Sequence, residues 1–136
     1  MLPRIDPTKS EPVYVQLMNE IKYFVAAGIA SPGELLPSVR EMAVNLRINP
    51  NTVARAYREL EREGVVVTMR GKGVFVSDGP RVFDKKRALA EMKSTLDAIL
   101  VEAFHKGLTP EQVKALLDQR IENLNSMRSQ VDGIRD

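Results

Sequence analysis

The fold turns on residues 46–64, LRINPNTVARAYRELEREG. Asn49 is a favoured helix N-cap, Pro50 suits a first helical position, and Gly64 stands where a helix would end. Between them Val53, Ala56, Tyr57 and Leu60 recur at helical spacing and predict an inner face. The start of this helix carries the short polar residues Asn51 and Thr52, with Arg55 and Arg58 behind them.

Upstream, PSVREMAVNL (37–46) predicts a second, shorter helix of about three turns. Ser38 followed by Glu41 is a capping box, and Val39, Met42, Ala43 and Leu46 give the buried stripe. Only RIN separates the two helices, which makes a helix-turn-helix. Residues 12–27, PVYVQLMNEIKYFVAA, precede them as another helix, with Tyr14, Leu17, Met18, Ile21, Phe24 and Val25 inward and Gly28 as its stop. In the loop GIASPGELLP the pair Leu35-Leu36 reads as a short strand or a core plug. Downstream, VVVTM and VFV flank RGKG, a hairpin with a glycine-containing turn. Three helices and such a hairpin predict a winged helix-turn-helix over residues 10–77, and DGP then opens a linker at 78–82.

Residues 83–132 return to helix. Leu89, Met92, Leu96, Ile99 and Ala103 form a heptad-like seam, widened by Leu100 and Phe104. His105 and Lys106 close that helix, and Thr109-Pro110-Glu111-Gln112 caps the next. Its apolar positions are Val113, Leu116, Leu117, Ile121, Leu124, Met127 and Val131. A two-helix hairpin buries too little surface to stand alone, so the seams are expected to pair with a second copy, the alternative being that the two helices fold onto the N-terminal domain. Leu89, Met92, Leu96, Ile99, Ala103, Leu117, Ile121 and Leu124 are the expected dimerisation residues. The fold class is mainly α with a small β hairpin: an N-terminal winged helix-turn-helix plus a C-terminal two-helix dimerisation element.

Composition narrows the chemistry. The 136 residues include no cysteine, which removes disulfides and thiolate metal sites and fits an intracellular setting. His105 is the single histidine, so designs needing two are excluded, and no catalytic centre, metal or cofactor is expected. No run of about 18 apolar residues predicts a membrane span. The start, MLPRIDPTKSEP, is unlike a signal peptide, so a cytoplasmic protein is expected. Net charge is only +2, but from 40 to 72 seven cations (Arg40, Arg47, Arg55, Arg58, Arg62, Arg70, Lys72) face four acids (Glu41, Glu59, Glu61, Glu63).

In a helix-turn-helix the second helix enters the major groove by its N-terminal end. Asn51 and Thr52 then read base edges or bind phosphate, with Arg55 on the same face and Arg58 placed for phosphate. Arg40, near the start of the preceding helix, faces away from the core. Arg70 and Lys72 sit on the glycine-flexible wing, where Arg suits a narrow minor groove. The RGKG loop returns to a strand, so it is not a nucleotide-binding loop.

These residues resemble a known family. GELLPSVREMAVNLRINPNTVARAYRELEREGVV followed by RGKGVFV is similar to the winged-helix domain of GntR-type bacterial transcription regulators, over about residues 10–77. NPNTVARAYRELE looks most like the YtrA subfamily and also like the N-terminal domain of MocR-type regulators. The roughly fifty-five residues that follow fit the short helical tail of the YtrA type rather than a large effector domain. The resemblance implies DNA contacts at Arg40, at the helix start (Asn49, Asn51, Thr52) and at the wing (Arg70, Gly71). It also implies a homodimeric repressor on a palindromic operator, often of a transporter-containing operon. Two departures stand out: many relatives have arginine where this chain has Ala54, and glycine where it has Arg47.

A different class, a winged-helix protein-interaction module without specific DNA binding, is the alternative. A small-molecule effector, if the chain takes one, would bind the tail or the junction near 78–90. A regulator tuned by its own concentration is equally compatible with the sequence.

Overall fold

Residues 2–78 and 83–135 are described by a computed structural model. The expected linker at 78–82 falls, apart from Asp78, outside the described residues. Three helices open the chain: α1 (Val13–Ala26), α2 (Val39–Leu46) and α3 (Pro50–Arg62). Two strands follow, β1 (Val66–Met69) and β2 (Gly73–Val76), and then α4 (Lys85–His105) and α5 (Pro110–Arg135).

The local signals act where they stand in the sequence. The Glu41 N–H donates to Ser38 Oγ (3.1 Å) while the Ser38 N–H donates to Glu41 Oε1 (3.3 Å), so two otherwise orphaned donors are satisfied at the start of α2. This helix has eight residues, just over two turns rather than the three expected. It stops early because Arg47 adopts a left-handed conformation (φ 56°, ψ 47°) and turns the chain towards α3. Asn49 caps α3 and Pro50 is its first residue, while Gly64, beyond the end, has φ 74°.

The stripes meet in one core. Leu17 and Ile21 of α1, Met42 of α2, Val53 and Leu60 of α3, Val66 of β1 and Val76 of β2 are buried together. Burying side chains of this size contributes roughly 1.5–3 kcal/mol each. β1 and β2 are antiparallel, with Val66 opposite Val76 and Met69 opposite Gly73. The Leu35-Leu36 pair fulfils both expectations. Leu35 bridges Phe75 at the edge of the hairpin, and Leu36 plugs the core at 3% exposure.

Two polar groups organise this core from within. Gln16 is buried yet satisfied: its Oε1 accepts the Asp6 N–H (2.8 Å), and its Nε2 donates to the Asp6 and Glu11 carbonyls (both 2.9 Å). The amide thereby ties the segment before α1 onto the helix. Tyr57 donates its hydroxyl to the Pro37 carbonyl at 2.7 Å, pinning α3 to the entry of α2. Burial, and then the charge of Glu41, push this phenol well above its ordinary pKa.

The chain forms two compact units, Met1–Asp78 with Met127–Asp136, and Gly79–Ser126. In the second, Asp84 caps α4 by accepting the Arg87 N–H (3.1 Å). Thr109 and Gln112 exchange the capping-box bonds at the start of α5 (2.9 and 3.1 Å). The tail expected over 83–132 is therefore divided. Met127 and Val131, expected on the tail seam, belong to the first unit. There Tyr23 Oη donates to Met127 Sδ (3.4 Å), and Arg128 Nη1 donates to the Ala26 carbonyl (2.8 Å) at the C-terminal end of α1.

Candidate nucleic-acid interface

The exposed start of α3 is built by its cap. Asn49 Oδ1 accepts the Asn51 N–H at 2.8 Å, so this oxygen is committed to the helix, and Asn49 supports the surface more than it reads from it. Asn51 is exposed and Thr52 half-buried, and neither side chain is hydrogen-bonded to another described residue.

Arg55 lies on the same face, but with a neighbour that the sequence reading placed in the core. Its Cζ sits 3.9 Å from the centroid of the Tyr14 ring, and its Nη2 donates to Tyr14 Oη at 3.3 Å. Val13, Tyr14, Asn51, Thr52 and Arg55 together line an open cleft of about 430 Å³. Tyr14 is thus only half-buried, and the first turn of α1 is part of the surface at the start of α3. Sequence spacing gave no sign of this, because the two residues are 41 positions apart.

The electrostatics of α3 depend on where its glutamates go. Glu59 pairs with Arg62 (3.1 Å) and Glu63 with Lys22 (2.7 Å). Glu61 accepts from Thr68, from its N–H at 3.4 Å and its hydroxyl at 3.1 Å, fastening α3 to β1. Arg55 and Arg58 are therefore left without a carboxylate among the described residues, and both are exposed. Arg62, held by Glu59, is a surface ion-pair partner. Exposed, unpaired cations on a helix surface attract phosphate.

The remaining expected contacts are exposed but do not line the cleft. Arg40 projects from α2 beside Glu41, whose carboxylate is engaged in the capping box. Arg70, Gly71 and Lys72 form the tip between β1 and β2, with Gly71 at φ 76°, a conformation open to glycine. Arg70, Lys72 and Arg40 make no ion pair with a described residue. Arg47, standing in the turn, is also exposed, and its left-handed backbone keeps the turn that glycine would otherwise supply.

In the second unit the expected seam is bare. Leu89 is 71% exposed, and Met92, Leu96, Ile99, Leu117 and Ile121 are also exposed, with Leu124 half-buried. Ala103 differs: it is buried inside its own hairpin, where its carbonyl accepts the Leu108 N–H (2.9 Å). Among the described residues no cluster of His, Asp or Glu could hold a metal ion, and no helix is long and apolar enough to cross a membrane.

Comparison with known proteins bears on this surface. Residues 13–76 match the model of bacterial regulatory proteins of the gntR family, a span that runs from the start of α1 to the end of β2. The chain is 38% identical over 110 residues to the HTH-type transcriptional repressor YtrA of Bacillus subtilis, covering 81% of this chain and 85% of the relative. Among solved structures, a transcriptional antiterminator from Listeria monocytogenes EGD-e superposes with a TM-score of 0.79 at 32% identity, over 89% of this chain and 90% of the other. YtrA from Sulfolobus acidocaldarius, a GntR-family transcription factor, superposes with a TM-score of 0.53 at 28% identity, over 90% of this chain and 98% of the other.

Proposed function

The chain belongs to the GntR family of bacterial regulatory proteins, and from that premise we propose that it is a homodimeric repressor that binds a palindromic operator, its own operon being among its targets. That it is a DNA-binding transcription regulator of the YtrA type, and not an enzyme, follows from the family. The alternative, a winged-helix module for protein interaction alone, has no such support.

The observation that carries the DNA-reading assignment is the unneutralised start of α3. Asn51, Thr52 and Arg55 share one exposed cleft, and the three nearby glutamates are engaged elsewhere. In this reading Asn51, Thr52 and Arg55 meet base edges, and Arg40, Arg58, Arg70 and Lys72 fix the register on phosphates or the minor groove. Asn49 holds the helix start, and Gly71 lets the wing tip approach the backbone. The dimer reading is supported by the uncovered apolar residues of α4 and α5. Leu96, Ile99, Val113, Leu116 and Leu117 even line an open hollow of about 180 Å³, which a second copy would fill. Two-fold symmetry of the protein would be mirrored in the operator half-sites.

Selection of bound duplexes from fragmented genomic DNA tests this. Recovered fragments sharing an inverted repeat are expected, including one upstream of the chain's own gene. Enrichment of no duplex would overturn the assignment. In parallel, Leu96→Glu with Ile99→Glu should convert a dimer to a monomer by sedimentation and weaken operator binding, whereas a persistent dimer would refute the seam.

A further inference from the structure

We infer that Tyr14 is a positioning residue for base selection, holding the Arg55 guanidinium so that it reads one base pair in each half-site. The inference rests on the DNA-reading function proposed above and adds to it a residue from outside the helix-turn-helix. Three observations support it. The guanidinium lies over the tyrosine ring, with Cζ 3.9 Å from its centroid, and Nη2 donates to the phenol oxygen at 3.3 Å. No carboxylate among the described residues neutralises it, and an aromatic face attracts a cation without cancelling its charge. A guanidinium has five N–H donors, and the phenol takes one of them. The rest make no hydrogen bond to a described residue, and Arg55 lines an open cleft with Asn51 and Thr52.

The physical gain is preorganisation. A free arginine side chain loses rotamer freedom on binding a base, and a stacked one has already lost it. The position of Arg55 also makes the support necessary. One residue advances a helix by a quarter turn or so, and Arg55 stands one residue beyond Ala54, turned towards α1. Without Tyr14 nothing among the described residues would hold its head at the tip of α3.

The test compares the full-length wild type with Arg55→Ala, Tyr14→Leu, Tyr14→Phe and the double variant Tyr14→Leu/Arg55→Ala, each selecting from operator duplexes randomised one base pair at a time. Arg55→Ala should lower discrimination at one base pair per half-site by roughly tenfold or more, as loss of a bidentate arginine–base contact does. Tyr14→Leu should lower it at that same base pair, and the double variant should be no worse than Arg55→Ala. Tyr14→Phe keeps the ring face and should keep most of the discrimination. The inference is overturned if Tyr14→Leu retains wild-type discrimination, or if it weakens all duplexes equally, as a merely structural residue would. A second measurement needs no variant to fold: in the wild type, Arg55 side-chain proton resonances should be displaced by the tyrosine ring current, and values of a free arginine would refute the stack. If the wild type selects no duplex while the ring-current shift is present, it is the DNA-reading function that fails.

Discussion

Arg58 and Arg62 stand four residues apart on α3, carry the same charge and differ in one respect: Arg62 is paired with Glu59 at 3.1 Å, and Arg58 has no carboxylate among the described residues. Replacing either by alanine costs the helix almost nothing, because arginine and alanine are both strong helix formers. The two variants therefore isolate the effect of a free cation from that of a neutralised one. Each phosphate neutralised contributes about 0.9 to the slope of log affinity against log salt, so a homodimer that loses two Arg58 contacts should have a slope shallower by roughly 1.8. Between about 50 and 200 mM salt, that change compresses the affinity gap between wild type and Arg58→Ala by roughly tenfold. Fluorescence anisotropy on a labelled operator across a salt series measures it directly. Arg62→Ala should leave the slope nearly at its wild-type value. An unchanged slope for Arg58→Ala, or an equal change for both variants, would refute the argument that the glutamate pairing decides which arginines meet DNA.

Two further expectations concern stability. Arg47→Gly relieves a left-handed residue at φ 56°, and thermal unfolding should show a gain of about 1 kcal/mol, offset in part by the greater backbone freedom of glycine when unfolded; a lower midpoint would count against strain in the turn. Tyr57→Phe leaves the Pro37 carbonyl without its donor at 2.7 Å and should cost roughly 1–3 kcal/mol near neutral pH. The phenol is raised in the folded state above 10.0, so the unfolded chain ionises first and the stabilisation at Tyr57, complete below pH 10, fades as pH climbs beyond it. The difference between wild type and Tyr57→Phe in urea should accordingly narrow in alkali, and a gap constant from neutral to strongly alkaline pH would be the contrary result.

The parts of this fold that were legible in the sequence are those decided within three or four residues. Ser38 with Glu41, Asn49 with the Asn51 N–H, and Thr109 with Gln112 each close hydrogen bonds inside one helical turn, and each cap stands as read. The hairpin was equally local, fixed by β-branched runs around RGKG. Asn51 is exposed because helical spacing sets it opposite Val53, Ala56 and Leu60, while Thr52 lies at the flank of that stripe and is half-buried. What spacing does not reveal is joined through space. Tyr14 has the spacing of a core residue and became the platform of Arg55, and Gln16 gave no sign of its three bonds to the preceding segment. The helix-period rule continued α5 as one seam through Met127 and Val131, since periodicity does not register which neighbour a stripe will meet. The end of α2 is hidden for a related reason: the left-handed turn that stops it is made by an arginine, where glycine is the usual signal.

The Arg128 bond to the Ala26 carbonyl has a consequence for how the protein is made. The first compact unit is discontinuous in sequence: it takes in Met127–Asp136 after an excursion through Gly79–Ser126. During synthesis the core around Leu17 and Leu60 can assemble once β2 has emerged, yet the end of α1 waits for residues near 128 before its last carbonyl is capped. A nascent chain arrested between β2 and α5 would therefore carry a formed α3 on an unfinished unit, and grafting another tail at Asp78 would require supplying a substitute for those final turns.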